Sequence, residues 1–129
     1  MSIQIDISVG ELLDKITILE IKRERISDTV KLENINRELL LLTQQWQSSA
    51  YKDVGLDQEK QALKQVNEKL WDIEDEIRLK EKQKQFDDEF IQLARSVYIT
   101  NDERATIKHD INTKTGSVLQ EEKSYSDYN

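Results

Sequence analysis

Cationic side chains, amides and the only histidine gather in one segment near the end of this acidic chain. The string RSVYITNDERATIKHDINTKTGS begins at residue 95 and contains Arg95, Arg104, Lys108 and Lys114. Residues 90–116 carry a net charge of +1, whereas the rest of the chain carries −8 within a total of −7. Arginine and lysine are the side chains that bind phosphate and carboxylate groups. The segment is therefore a candidate surface for an anionic compound.

A helical wheel separates these side chains by their position around the last predicted helix. At about 100° per residue, Arg104, Lys108, Asn101 and Asn112 border the apolar stripe that should be buried. A ligand or partner could reach the cations and amides at that border. His109 falls on the outer face, so we interpret it as a solvated side chain rather than a catalytic one.

A second polar margin flanks the apolar stripe of the third predicted helix. It holds Trp71, Glu74 and Arg78, and the last two have the i,i+4 spacing of a favourable ion pair. Together the margins could form an anion site beside a stacking surface. The same residues could instead hold neighbouring helices together through internal ion pairs. The sequence by itself favours this second interpretation. The candidate ligand-binding residues are Trp71, Glu74, Arg78, Arg95, Tyr98, Asn101, Arg104, Lys108 and Asn112.

Other chemistries lack the residues that they require. The chain has no cysteine, which excludes thiolate nucleophiles, disulfides and Cys–Zn sites. With a single outward histidine, a serine nucleophile has no base. Asp72, Asp75 and Glu76 fall on the outer face of the third helix, so we predict solvated charges, no metal site and no cofactor. A carboxylate pair could still act as acid and base, so the sequence favours a non-enzymatic protein without excluding an enzyme.

The composition predicts one all-α domain that positions these residues. Of 129 residues, 35% are charged, 36% are hydrophobic and none is proline, the strongest helix breaker. A pI near 4.8 argues against binding nucleic acid or an acidic membrane. No stretch approaches the length of an apolar membrane span. We therefore expect a soluble, cytoplasmic protein.

The first predicted helix has apolar residues on two sides. Ser8 and Glu11 have the spacing of a capping box, so the helix should begin near Val9. Ile18 and Ile21 lie roughly opposite its main apolar stripe. The helix is therefore either central in the bundle or in contact with a second subunit as well. We predict a homodimer interface at Ile18 and Ile21.

The residues before this helix alternate between apolar and polar types. Ile3, Ile5, Ile7 and Val9 recur with a period of two, which is typical of a strand. A single strand is not stable alone. We expect a short extended segment that pairs with another copy or lies against the bundle, or else a segment that is irregular.

Two further helices are predicted to form a long antiparallel hairpin. Ser27 or Asp28 can cap the second helix, and Asp57 can cap the third after a loop that contains Gly55. The third helix should extend to about Lys84. The second has an apolar seam with coiled-coil spacing at Leu32, Ile35, Leu39, Leu42 and Trp46.

The apolar period continues beyond the polar KEKQKQ run, from Phe86 onward, either in one long helix or after a kink. Thr100 or Asn101 can cap a last helix that ends before Gly116. The predicted fold is an all-α bundle of four to five helices around the hairpin. We assign the bundle domain to residues 1–116 and a polar arm or tail to residues 117–129.

Several long strings in the chain resemble a known family. They are GELLDKITILEIKRERI, LWDIEDEIR, FIQLARSVYITNDERATIKHDIN and GSVLQEEKSY, and the resemblance covers about residues 8–125. The family consists of small uncharacterised bacterial proteins, with some phage-encoded relatives, classed as a domain of unknown function. The resemblance implies no catalytic roles. It does suggest a link to surface-glycan synthesis, which makes a sugar nucleotide one candidate ligand.

Two functional hypotheses follow from the sequence. The leading hypothesis is a non-enzymatic helical interaction module that acts as a homodimer. The alternative is a small-ligand-binding protein or an enzyme. It would recognise a phosphorylated or carboxylated compound at the Trp/Arg/Lys patch.

Overall fold

The computed structural model describes residues 1–128 and is built from helices. These are α1 (Val9–Arg25), α2 (Thr29–Gln47), α3 (Asp57–Lys82) and α4 (Asp88–Thr115). No strand occurs within residues 1–128. The predicted all-α class is therefore confirmed, with four helices in the described part of the chain.

Short-range side-chain bonds fix several helix ends where the sequence predicts them. The Ser8 hydroxyl oxygen accepts a hydrogen bond from the Glu11 N–H at 3.1 Å and begins α1. The Asp28 carboxylate accepts one from the Lys31 N–H at 2.9 Å and begins α2. Gly116 ends α4 with φ of +63°, a left-handed conformation that glycine adopts without steric cost.

The predicted caps of the third and last helices are wrong. Asp57 is the first residue of α3, and Leu56 precedes it without a side-chain hydrogen bond to the helix. The helix does not restart at Thr100 or Asn101, because α4 runs unbroken through both positions. Thr100 is fully buried, so its packing against neighbouring helices outweighs its preference for a helix start.

The chain turns once between α3 and α4. Residues 83–87 form that connection, in which Lys84 has φ of +56°. The Asp87 carboxylate accepts a hydrogen bond from the Phe90 N–H at 3.0 Å and begins α4. The apolar period that continues past the KEKQKQ run therefore belongs to a separate helix.

Helix α1 lies at the centre of the molecule and packs against α2, α3 and α4. Helices α3 and α4 also pack against each other. Within residues 1–128, the backbone of α2 comes close only to that of α1, although Leu63 of α3 shares the apolar core with Ile35 and Leu39 of α2. The predicted long hairpin of the second and third helices is therefore not confirmed. The apolar seam of α2 packs against α1, where Ile35 and Leu39 join Leu13 and Ile16 in the core.

The central position of α1 accounts for its apolar residues on two sides. Ile21 is only 1% exposed, because the chain's own helices cover it, while Ile18 is half-buried. A second subunit is not needed to explain Ile21. The homodimer interface at these two residues stays a prediction.

The N-terminal and C-terminal segments lie against the helices without regular secondary structure. Residues 2–7 border a groove between α1 and α2, although Ile3 and Ile5 remain exposed. Residues 117–128 return along α4, where the Tyr128 ring lies 5.2 Å from the Tyr98 ring. Asn129, the last residue of the predicted arm, lies outside the described residues.

Candidate functional site

The nine predicted ligand-binding residues do not form one patch on the structure. Four of them line a single cleft, two are bonded into the contact between α1 and α4, and three lie elsewhere on α4. The cleft group is Trp71, Glu74, Arg78 and Arg104, the contact group is Lys108 and Asn112, and the third group is Arg95, Tyr98 and Asn101.

The cleft lies between α1, α3 and Arg104 of α4 and has a volume of about 370 Å³. Ile18, Ile21 and Leu70 provide its apolar surface, while Asn67 and Asp75 add polar groups. Sequence reasoning placed Asp75 on the outer face of its helix. It placed Ile18 and Ile21 at a subunit interface. A wheel of one helix does not show which of its side chains border a cleft between that helix and the neighbouring helices.

Arg104 is the cation of the cleft that has no carboxylate partner among the described residues. It is half-buried, and its Nη1 donates a long hydrogen bond of 3.4 Å to the Asn67 side-chain oxygen. Among residues 1–128, no carboxylate oxygen lies within 4.0 Å of the Arg104 guanidinium. A guanidinium has five N–H donors in a planar fork. Most of these donors are therefore available to an anion in the cleft.

The other charged residues of the cleft are more exposed. Arg78 Nε lies 3.3 Å from Glu74 Oε2, and the two side chains are 80% and 47% exposed. This pair has the i,i+4 spacing that the sequence predicts. Exposed pairs contribute at most about 1 kcal/mol, so Arg78 can exchange Glu74 for another anion at little cost.

Trp71 is half-buried and is held in place from the side of α1. The guanidinium of Arg25 lies 5.8 Å from the centre of its ring, and Arg25 Nη1 donates to Asp72 at 2.6 Å. The indole also lines the cleft. The indole therefore provides a flat aromatic surface on which a ring or an apolar group of a ligand can pack.

A buried hydrogen-bond network connects the inner end of the cleft to α1. Asn67 Nδ2 donates to Asp14 Oδ1 at 2.8 Å and to Thr17 Oγ1 at 3.0 Å, while its oxygen accepts from Arg104. Asp14 and Asn67 are 4% and 5% exposed. Because both the nitrogen and the oxygen of the Asn67 side-chain amide are hydrogen-bonded, the orientation of this amide is fixed and it positions Arg104.

Lys108 forms the centre of a contact that we call the clamp, made of Lys108, Glu11, Asp14 and Glu121. Its Nζ lies 2.6 Å from Glu11, 3.7 Å from Asp14 and 3.2 Å from Glu121. Burial alone would lower the pKa of Lys108, but these carboxylates raise it above the ordinary value. The donors of Lys108 are thus occupied by internal carboxylates, as the clamp interpretation of the sequence predicts.

Asn112 serves the same contact between α1 and α4. Its side-chain oxygen accepts a hydrogen bond from the Gly10 N–H at 2.7 Å, and the residue is 3% exposed. That bond satisfies one of the backbone N–H groups left free at the start of α1. Asn112 is therefore used in folding and does not line the cleft.

The clamp should make stability depend on pH at the acid end. Burial would raise the pKa of Glu11, but the hydrogen bond and charge of Lys108 hold it below the ordinary value of 4.5. A carboxyl with a lowered folded-state pKa stabilises the fold above its unfolded pKa, and that contribution is lost as the pH falls through the folded pKa. We expect Glu11→Gln to lower the melting temperature equally at pH 6 and pH 8, and by progressively less below about pH 4.5. Thermal melts across that range test this, and a difference that persists unchanged at pH 3 would contradict it.

The remaining predicted residues lie away from the cleft. Arg95 is exposed, Tyr98 packs against Tyr128, and Asn101 is half-buried. His109 is exposed on the outer face of α4, as the wheel predicts. No three Asp, Glu or His side chains in residues 1–128 are grouped so that they could hold a metal ion. None of the described helices is long and apolar enough to cross a membrane.

Comparison with known proteins identifies a family. No curated protein and no solved structure matches the chain. A family model described as "Family of unknown function (DUF6165)" matches residues 3–128. The match confirms the predicted resemblance to a domain of unknown function. The chain therefore belongs to DUF6165, a family of unknown function.

Proposed function

We propose that this protein binds a small anionic compound in the cleft between α1, α3 and α4. The observation that carries the proposal is the half-buried guanidinium of Arg104, which faces the cleft with no carboxylate partner within residues 1–128. A partly desolvated guanidinium binds phosphate or carboxylate more strongly than an exposed one. Arg104 is thus the anchor of the proposed ligand.

The rest of the cleft suggests the body of the ligand. Ile18, Leu70 and Trp71 offer apolar and aromatic surface, and a volume of about 370 Å³ is within the range of small-molecule sites. The ligand would be a phosphorylated or carboxylated compound with an apolar or ring-shaped part. A sugar nucleotide is one member of this class. We propose binding and assign no catalytic step to the cleft.

The proposal predicts a ligand effect that depends on Arg104. A thermal-shift screen of phosphate, carboxylates, nucleotides and sugar nucleotides should give a compound that raises the melting temperature. At a hundredfold excess over Kd the rise should be on the order of 10 °C. Arg104→Ala should abolish this rise and leave the protein folded.

Arg95→Ala is the matched control, because Arg95 lies on the same helix but is exposed and outside the cleft. It should leave the ligand effect unchanged. The proposal is wrong if no anion stabilises the protein, or if every stabilising anion acts equally on Arg104→Ala.

A second candidate function is the homodimeric interaction module. The apolar surface of Ile18 and Leu70 favours it, since a side chain of a second copy could fill the same cleft. Light scattering at tens of micromolar separates the two candidates. A monomeric mass excludes the homodimer, whereas a dimer that dissociates on Ile18→Glu supports it.

A further inference from the structure

A second cavity lies on the other side of α1, between α2 and α3, and we call it the α2–α3 cavity. Its α1 residues include Glu20 and Arg23, which lie on the wheel of α1 opposite the residues that line the cleft, Ile18 and Ile21. Within residues 1–128, α2 and α3 both pack against α1 while their own backbones stay apart. A space of about 420 Å³ remains between them.

Three cations from three different elements border this cavity. They are Arg23 of α1, Lys52 of the connection between α2 and α3, and Lys60 of α3. Glu20 and Asp57 also border it, so its ionisable side chains sum to +1 in a chain of net charge −7. Within residues 1–128, neither Arg23 nor Lys52 has a carboxylate oxygen within 4.0 Å. Two of the cations are thus available to an anion.

Lys60 and Glu20 form a loose pair in the wall of the cavity. Lys60 Nζ lies 3.8 Å from Glu20 Oε1, which is longer than a hydrogen bond. That oxygen is buried and has no hydrogen-bond partner among the described residues. A buried acceptor without a partner is unusual in a folded protein. The Glu20 side chain as a whole is 22% exposed, so a hydroxyl group in the cavity would donate to Oε2, the other oxygen of this carboxylate.

Trp46 supplies the flat surface of the cavity. The indole is half-buried and packs beside the core, next to Leu39, Val54 and Leu56, which line the same space. Aromatic side chains of this kind stack on the rings of nucleobases. The cavity thus combines cations, an acceptor for a hydroxyl group and a stacking surface.

We propose that the α2–α3 cavity is a nucleotide-binding site. The phosphate would bind between Arg23, Lys52 and Lys60, a sugar hydroxyl would donate to Glu20, and the base would pack against Trp46. A phosphate monoester carries a charge of about −1.5 to −2 at pH 7. A ligand phosphate therefore matches a group of several cations better than a ligand carboxylate, which carries a single charge, would. The site is separate from the cleft and does not depend on the function proposed for it.

The two tryptophans of the chain give each cavity its own reporter, because Trp46 lines the α2–α3 cavity and Trp71 lines the cleft. Adenosine monophosphate is titrated into the ¹⁵N-labelled full chain, and the two indole N–H signals are assigned with Trp46→Phe and Trp71→Phe. The Trp46 signal should move and the Trp71 signal should stay. Adenosine and inorganic phosphate should each bind about tenfold more weakly than the nucleotide.

Charge variants test the phosphate contacts. Arg23→Gln and Lys52→Gln should each raise the Kd for adenosine monophosphate about tenfold. Lys31→Gln is the matched control, since Lys31 is exposed at the far end of α2 and should not change the Kd. The proposal is overturned if millimolar nucleotide leaves the Trp46 signal of the folded protein in place. It is also overturned if only Trp71 responds, or if both charge variants bind as tightly as the wild type.

Discussion

Lys108→Met should lower the free energy of unfolding by about 3 kcal/mol, a loss typical of breaking a buried ion pair from one side. The Lys108 side chain is 11% exposed and lies next to Glu11, Asp14 and Glu121. Methionine keeps the unbranched apolar stem of the side chain and removes the ammonium group with its charge and its hydrogen-bond donors. Asp14, whose side chain is 6% exposed, would then be a buried carboxylate without a cation.

Lys64→Met is the matched control for this experiment. Lys64 Nζ lies 2.6 Å from Glu24, the same distance as Lys108 from Glu11, but the Glu24 side chain is 45% exposed. Exposed pairs contribute at most about 1 kcal/mol, so Lys64→Met should cost less than that. Urea unfolding of both variants gives the comparison. Equal losses in the two variants would show that the clamp contributes no more than a surface pair.

Gly10→Ala should destabilise the protein by about 2–3 kcal/mol, because α1 and α4 approach too closely there for a methyl group. A Cβ at Gly10 would lie 2.6 Å from the backbone oxygen of Lys108 and 3.0 Å from Asn112 Oδ1. Backbone atoms inside a helix cannot move aside singly. The helices would have to separate, which also stretches the hydrogen bond from the Gly10 N–H to Asn112.

Gly55→Ala separates this steric effect from a general effect of replacing glycine. Apart from Gly55 itself and its two chain neighbours, no atom of residues 1–128 lies within 4 Å of a Cβ built at Gly55, and its φ is not positive. We expect a change of less than about 1 kcal/mol, because alanine only restricts the unfolded chain there. In a helix, alanine is otherwise about 1 kcal/mol better than glycine. A Gly10→Ala variant as stable as the wild type would therefore contradict the close approach of α1 and α4.

The sequence predicts the features that depend on neighbouring residues. Ser8 and Asp28 cap their helices and Gly116 ends α4 because each acts on backbone groups within a few residues. The helical class follows from the same short-range periods. Asp57 shows the limit of such patterns, since a residue that suits a cap position can equally occupy the first turn.

The packing of the helices could not be predicted in the same way. The apolar seam of α2 correctly marks the buried side of that helix, but it does not show that the backbone of α2 lies closest to that of α1. The division of the nine candidate residues into separate groups could not be predicted for the same reason. A wheel places Arg104 and Lys108 on neighbouring sides of α4, whereas the structure pairs Lys108 with carboxylates and leaves Arg104 in the cleft.

The measurement that most directly tests the proposed cleft is the indole N–H signal of Trp71 during titration with a carboxylate or phosphate compound that stabilises the protein. The signal should move as the cleft fills, because Trp71 and Arg104 line the same space. It should stay in place when the same compound is added to Arg104→Ala. A Trp71 signal that does not respond to any stabilising anion, or that moves equally in Arg104→Ala, would contradict the proposal that Arg104 anchors a ligand in this cleft.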